Sequence, residues 1–426
     1  MLDGVWGFAR RHRRKLVVGA GVVGGLYYAG KLLAQRLVEM QGTAAKERAA
    51  REGIRRRFDQ NQRDCTFTIM SLLPELGEQV LREVDVEQLI AELRTINNTS
   101  RASSEDQSQE PANASAGASE AADAADSPPK RTKVQIWEDI KVQSFARTLI
   151  AVYAESLLTL LVHVQLNMVG RSTYLDSVVG RYTGAADEGK RPGLQLAPAD
   201  EQNFLMLSWW LLNRGWRLLM AQIMDATNHC VGPLPLKERL SHRELASLFG
   251  DIHVRLREDG LIQMLPEILL PLGDACVDDY FTSNRLLADR VFTPAFVRLL
   301  DQLRDVIESP DFLYVFNSSV DRLTAQLLEA LQESFPEPLP PPVPCQPLPP
   351  TVEGEAAPNL DAVVQEFEQF STPPESRVVI VQLLPRIARE GHQILNGVPN
   401  QYLENVSASR EVQALSAAVY TAEGAS

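Results

Sequence analysis

The sequence predicts an all-α protein: a single apolar helix near the N-terminus, then one helical bundle that takes up nearly all the rest. Three observations point there. An apolar run, Leu16 to Gly30, follows directly on a basic cluster. Apolar residues recur at helical spacing through most long segments after it. Two low-complexity stretches, residues 97–132 and 335–375, separate the periodic segments. With 426 residues, 45% of them hydrophobic, the chain can bury a large core.

The N-terminal element is a candidate membrane span. Arg10, Arg11, His12, Arg13, Arg14 and Lys15 close a short basic tail, residues 1–15. The span itself is placed at residues 16–34, because Lys31 can extend its charge to the interface while its stem stays in the apolar layer. A secretory signal peptide has the same charged-then-apolar order. Against it, no small-x-small cleavage site follows, and Arg36, Arg48, Arg51 and Arg55 to Arg57 suit a juxtamembrane helix. Basic residues flank both ends, so charge alone does not orient the span. Gly21, Gly25 and Ala29 lie four apart, a stripe that suits either a close helix partner or a glycine-rich anchor without one.

From about Ala34 to Ile96 the chain reads as helix almost throughout, with Pro74 expected to open a new helix because proline is tolerated in a first turn. Residues 97–132 then turn to Ser, Ala, Gly, Asp and Glu. Such a composition buries too little apolar surface to offset ordering entropy, so a disordered loop is expected. Gating of a nearby site by this acidic loop and a plain solvated insertion are both open.

The stretch from Lys133 to Asp176 is the one the rest of the bundle is organised around. At 100° per residue, Val134, Phe145, Leu149 and Val152 share one face, expected in the core. Lys133, Trp137, Ile140, Lys141, Ser144 and Thr148 share the opposite face, which is polar apart from Trp137 and Ile140. A tryptophan in a polar stripe is either covered by a neighbouring element or exposed as an anchor for a partner.

Thr148 to Val169 is apolar enough to pass for a second span. Glu155 near its middle, with His163, Gln165 and Asn167 after it, would be costly in a bilayer. A central helix buried on all sides is therefore expected. Beyond a Gly/Pro-containing loop at 183–198, residues 201–228 read as an aromatic-rich helix, with Leu205, Trp209, Leu212 and Trp216 on one stripe. Arg239 to Leu256, Asp274 to Ala288 and a segment ending at Ser334 read as further helices. A polyproline-type linker follows, whose PxxP triplets suit a spacer or an SH3 ligand. Helical periodicity resumes from Arg377 to Ala422.

Charge is unevenly placed. Residues 1–57 hold 13 Lys and Arg against 4 Asp and Glu, whereas the remainder holds 29 against 51. Basic character confined to the apolar end suits a membrane surface, and an acidic body excludes a nucleic-acid partner. Cys65, Cys230, Cys276 and Cys345 show no CxxC or CxxH spacing, so free thiols are expected rather than a disulfide scaffold or metal site. No P-loop, nucleophile elbow, HExxH or dinucleotide fingerprint is present, so neither catalytic residues nor a cofactor are expected. Glu155 and His163 lie two turns apart, about 12 Å of rise, too far for a direct hydrogen bond.

Several motifs are specific. Lys133, Ile136-Trp137-Glu138-Asp139-Ile140-Lys141, Ser144-Phe145-Ala146-Arg147, Ala151-Val152-Tyr153, Val164-Gln165-Leu166-Asn167 and Tyr174-Leu175-Asp176 follow in order within about forty residues. Phe58, Asn61-Gln62-Arg63, Cys65, Thr68, Ser71 and Leu73-Pro74 precede them, and Ser309-Pro310-Asp311-Phe312 and Val419-Tyr420 follow. This pattern resembles the peroxin-3 family over nearly the whole chain apart from the two inserts. One departure is Gln382, three residues before Pro385, where the family pattern has a Lys beside the partner groove.

The resemblance implies a peroxisomal membrane docking receptor for the import receptor peroxin-19, which inserts membrane proteins during peroxisome biogenesis. It implies a single-pass topology with residues 1–15 in the lumen and residues 35–426 as one elongated cytosolic helical domain. The partner would enter as an amphipathic helix in a hydrophobic groove. The positions carried over for that groove are Leu93, Lys133, Trp137, Ile140 and Asn167. Adaptors of organelle inheritance or autophagy are further implied partners. The alternative from another class is a two-span transport or channel subunit, using Leu16–Leu33 and Thr148–Val169.

Overall fold

The computed structural model describes residues 52–106, 131–183, 197–271, 293–336 and 376–422. The expected span at 16–34, the helix at 274–288 and most of the two low-complexity stretches lie outside them. The chain divides into two compact units, Met1–Asn61 and Gln62–Ser426. In the first, residues 52–61 are helical.

The second unit is helical almost throughout. It begins with α1 (residues 62–83) and continues with α2 (Val86–Asp106), α3 (Lys133–Thr183) and α4 (Pro198–Leu205). A short α turn, Ser208–Trp210, and a π-helical stretch, Leu211–Gly215, lead into α5 (Trp216–Val231). Then come β1 (Arg239–Ser241), α6 (His242–Glu258), α7 (Leu261–Leu269), α8 (Pro294–Glu308) and α9 (Pro310–Gln332). The chain closes with β2 (Arg377–Val379), α10 (Ile380–Asn396), α11 (Gln401–Ser407) and α12 (Arg410–Thr421). The all-α fold class stands; among the described residues there is one antiparallel pair of three-residue strands, Arg239 opposite Val379 and Ser241 opposite Arg377.

Several helix starts follow directly from local chemistry. Ser241 caps α6, accepting from the Glu244 amide while the Glu244 carboxylate accepts from the Ser241 amide. This reciprocal pair satisfies two donors that a helix N-terminus otherwise leaves open. Thr293 and Ser309 cap α8 and α9, each with proline at the first helical position. Asn400 and Ser409 do the same for α11 and α12.

α3 is the axis of the bundle. Its residues from Ser144 to Gln165 are buried without interruption. Its apolar window is long and apolar enough to cross a membrane, yet 94% of it is buried inside the bundle. The layers around it have defined directions. Gln62 donates to Asn167 and Arg147 to Glu87, so α1 and α2 run antiparallel to α3. Thr148 donates to the Ile387 carbonyl, His163 pairs with Ser416, and Arg171 donates to the Ala422 carbonyl. In the C-terminal layer, α10 and α12 therefore succeed one another along α3 in its own direction. Gly391 makes the layer's close approach possible, because a Cβ there would lie 2.7 Å from the Thr148 hydroxyl oxygen.

Five expectations change. Val134 is 64% exposed, whereas Lys141, Ser144 and Thr148, assigned to a polar outer face, are fully or almost fully buried. Their polar atoms are satisfied inside: the Ser144 and Thr148 hydroxyls donate to Ile140 and Ser144 carbonyls one turn back. Pro74 does not start a helix; helix runs through it, and the break comes at Val84–Asp85. The helix α2 extends to Asp106, ten residues into the stretch expected to be disordered. Segments opening at Arg239 and Arg377 begin as strands, because each supplies the other's backbone partners. Residues 201–228 are not one helix. The π-helical stretch rotates the register, so Trp216 is fully buried while Trp209, on the same expected stripe, is half-buried. There a Cβ on Gly215 would lie 1.8 Å from the Ile268 carbonyl oxygen, which holds the position to glycine.

Candidate functional site

The residues singled out by sequence gather, with one exception, at the N-terminal end of α3. Thr132 caps that end: its hydroxyl accepts from the Gln135 amide, and the Gln135 side chain accepts from the Thr132 amide. Lys133, Val134 and Gln135 in the first turn are exposed. Ile136 and Ile140 are buried, and Trp137 is half-buried, its ring packed against the core cluster. Tryptophan here is thus neither a core residue nor a free surface residue.

The neighbouring helix α2 is tied to α3 near this end. Arg147 is 1% exposed and grips Glu87 through two hydrogen bonds, 2.6 and 3.0 Å. Burial pushes the Glu87 carboxyl up, but the hydrogen bonds and charge of Arg147 outweigh it and leave Glu87 below its ordinary value. From that anchor the antiparallel α2 carries Leu93 six residues on, about 9 Å, level with Lys141 and Ile140. Ile96 falls level with Glu138. Leu93 is buried and Ile96 half-buried.

Lys141 braces the same end from the other side. Its ammonium is fully buried and donates to the carbonyls of Gly232 at 3.0 Å and Leu234 at 2.5 Å. Glu138 pairs with it at 2.5 Å. A buried cation that caps two backbone carbonyls ties the end of α5 and its following turn to α3. Ile380 donates its amide to the Glu238 carbonyl, which brings the start of α10 to this end as well. Gln382 is exposed there, about 7 Å before Ile387 along α10.

Asn167 is the exception. It lies thirty residues beyond Trp137 on one continuous helix, about 45 Å along the axis. It is fully buried, donates to the His163 carbonyl and accepts from Gln62. The structure thus brings Leu93, Lys133, Trp137 and Ile140 to one end and leaves Asn167 as a link between α1 and α3.

On the flank of α3 turned away from Trp137, a groove of about 810 Å³ separates α3 from α5. Glu138, Asp139, Val142 and Gln143 line one wall, and Met224, Asp225 and Asn228 line much of the other. No sequence signal announced it, since its walls come from segments some eighty residues apart. No group of three or more potential metal ligands occurs among the described residues.

Comparison with known proteins places this arrangement. The Peroxin-3 family model matches residues 7–422. The chain belongs to the peroxin-3 family. It is 27% identical to the "Peroxisomal biogenesis factor 3" of Mus musculus, over 99% of this chain and 98% of that one. It is 28% identical to the protein of that name from Yarrowia lipolytica, over 97% and 98% of the two chains. The "Peroxisomal membrane protein PEX3" of Komagataella phaffii is 30% identical over 75% of this chain and 74% of its own length. The match spans both the Trp137 end and the C-terminal layer.

Proposed function

We propose that the chain is a peroxisomal membrane docking receptor in peroxisome biogenesis, which binds peroxin-19 through an amphipathic helix laid across the Trp137 end of α3. The observation that carries this is the half-buried Trp137 ring, packed on the apolar core at the solvent-facing N-terminal end of α3. Helix-in-groove recognition uses apolar anchors of this kind, and tryptophan is enriched among residues that dominate binding energy. Lys133 would meet the partner's polar rim, while Leu93 and Ile140 support the ring from below. Asn167 would act at a distance, by holding α1 against α3 through Gln62.

Residues 16–34 would anchor the chain in the peroxisomal membrane, with the helical bundle in the cytosol and no catalytic step. The two-span alternative is disfavoured by α3, whose apolar window is covered by the protein's own helices rather than left for lipid.

The test is calorimetric titration of the full chain, held in nanodiscs, with the N-terminal helical peptide of peroxin-19. Trp137→Ala should lower affinity by about 30- to 1,000-fold, equivalent to roughly 2–4 kcal/mol. Unchanged affinity would remove Trp137 from the site and the proposal with it.

A further inference from the structure

Glu155, Thr159 and His163 succeed one another every four residues along α3, so they form a ladder on one face. All three are buried, with Glu155 and Thr159 fully so. Among the described residues, both carboxyl oxygens of Glu155, the Thr159 hydroxyl and Nε2 of His163 have no hydrogen-bond partner. The ladder faces the C-terminal layer: His163 Nδ1 meets the Ser416 hydroxyl of α12 at 3.1 Å, and the Tyr402 hydroxyl of α11 lies near enough for a charge on Glu155 to act on it. Apolar seams exclude such groups, because an ionised carboxylate without a partner is costly in the interior.

We propose that the seam between α3 and α11–α12 is a proton-controlled latch, closed when Glu155 is a neutral carboxylic acid and loosened when it ionises. Among the described residues, the charged groups around this seam are engaged with other partners. On α10, Arg386 is already held by Glu390 at 3.0 Å and by Glu333 at 2.9 Å. Glu390 also accepts from Tyr402 at 2.8 Å. On α9, Arg322 pairs with Glu411 of α12, and Asp321 pairs with Arg257 of α6. Tyr153 and His253 are bonded to each other at 2.7 Å on a neighbouring face of the bundle. Cys65 of α1 is buried, and burial pushes its thiol up to about 12, so it stays neutral.

The sign follows from linkage. Burial raises the Glu155 carboxyl well above its ordinary value in the closed form, whereas an open seam returns it towards that value. Between the two values, closing takes up one proton. The closed-to-open ratio therefore falls about tenfold for each pH unit gained, and levels off once Glu155 ionises in the closed form. His163 does not share this window, because burial pushes its imidazole down to about 4.

Hydrogen exchange on the full chain in nanodiscs, from pH 5.5 to 8.5 and corrected for intrinsic rates, reads the opening of each helix. In the wild type, opening of α11 and α12 should rise about tenfold per pH unit over part of this range, while α9 stays unchanged. Glu155→Gln should flatten that profile and leave α11 and α12 as protected at high pH as at low. Glu155→Met serves if the glutamine variant does not fold. Infrared spectra of the wild type near neutral pH should show a protonated carboxyl band, which needs no variant. The proposal is overturned by the same slope in the glutamine variant, by a slope shared equally with α9, or by no protonated carboxyl band.

Discussion

The N-terminal part of α3 and its buried middle solve the same problem differently. Around Lys141 and Arg147, ionised side chains enter the core with partners in place: Lys141 on two carbonyls and Glu138, Arg147 on Glu87. Two turns further on, Glu155 enters the core with none. In the first, charge ties α2 and the turn after α5 to α3 near the half-covered Trp137 ring. In the second, an unpaired acid leaves the cover over α3 dependent on a proton. One helix thus carries the candidate site and the proposed adjustable seam, and the difference lies in whether each buried polar atom is satisfied.

The largest effect expected from breaking this arrangement comes from its apolar side. Phe145 is fully buried and packs its ring on Phe249 with centroids 5.6 Å apart. Phe145→Ala should cost about 3–5 kcal/mol of stability, read by denaturant titration. A cost under about 1 kcal/mol would mean that α3 is not the load carrier of the core.

Lys141 comes next. Lys141→Met keeps the apolar stem but removes the donor to the Gly232 and Leu234 carbonyls. Leaving these acceptors and Glu138 without their partner should cost about 2–3 kcal/mol. The loss should show as faster hydrogen exchange in residues 232–241 before the rest of the bundle. Uniform destabilisation would instead assign Lys141 to packing alone.

Trp137 separates core from site. Because its ring is half-buried, Trp137→Ala should cost only about 1–2 kcal/mol of stability, less than Phe145→Ala, while the binding loss remains the larger effect. Thermal melts alongside the peptide titration give both numbers on one protein. A stability loss that matched Phe145→Ala would make Trp137 a core residue.

How much of this was visible in the sequence depends on what kind of signal each residue leaves. The buried middle of α3 was legible, since Thr148 to Val169 is apolar on all sides and Glu155 argues against a bilayer. The grouping of Trp137, Ile140 and Lys133 followed from helix spacing and family pattern. The inward placement of Lys141, Ser144 and Thr148 was not legible, because periodicity assigns polar residues to solvent. Only the carbonyls of Gly232 and Leu234, some ninety residues away, make burial of Lys141 affordable. The π-helical register shift at Leu211–Gly215 is of the same kind. It answers to the Ile268 carbonyl against Gly215, a contact absent from local sequence. The level of Asn167, about 45 Å from Trp137, followed only once α3 proved continuous.

The smallest effect expected is at Gln382, where the family pattern has a lysine. Gln382 is exposed at the start of α10, on the end of the bundle that also presents Trp137. Restoring the charge by Gln382→Lys adds a solvated ammonium to a rim that already has Lys133, Arg131 and the partly paired Asp139. An ion pair with a partner carboxylate across such a rim contributes about 0–1 kcal/mol and weakens with salt. Peroxin-19 peptide affinity should therefore improve by less than about fivefold in low salt and by almost nothing at high salt, with stability unchanged. A gain of about 2 kcal/mol or more would move the binding centre from the Trp137 ring to the start of α10. The candidate site would then rest on the C-terminal layer, and its affinity should fall with rising pH as the Glu155 seam opens.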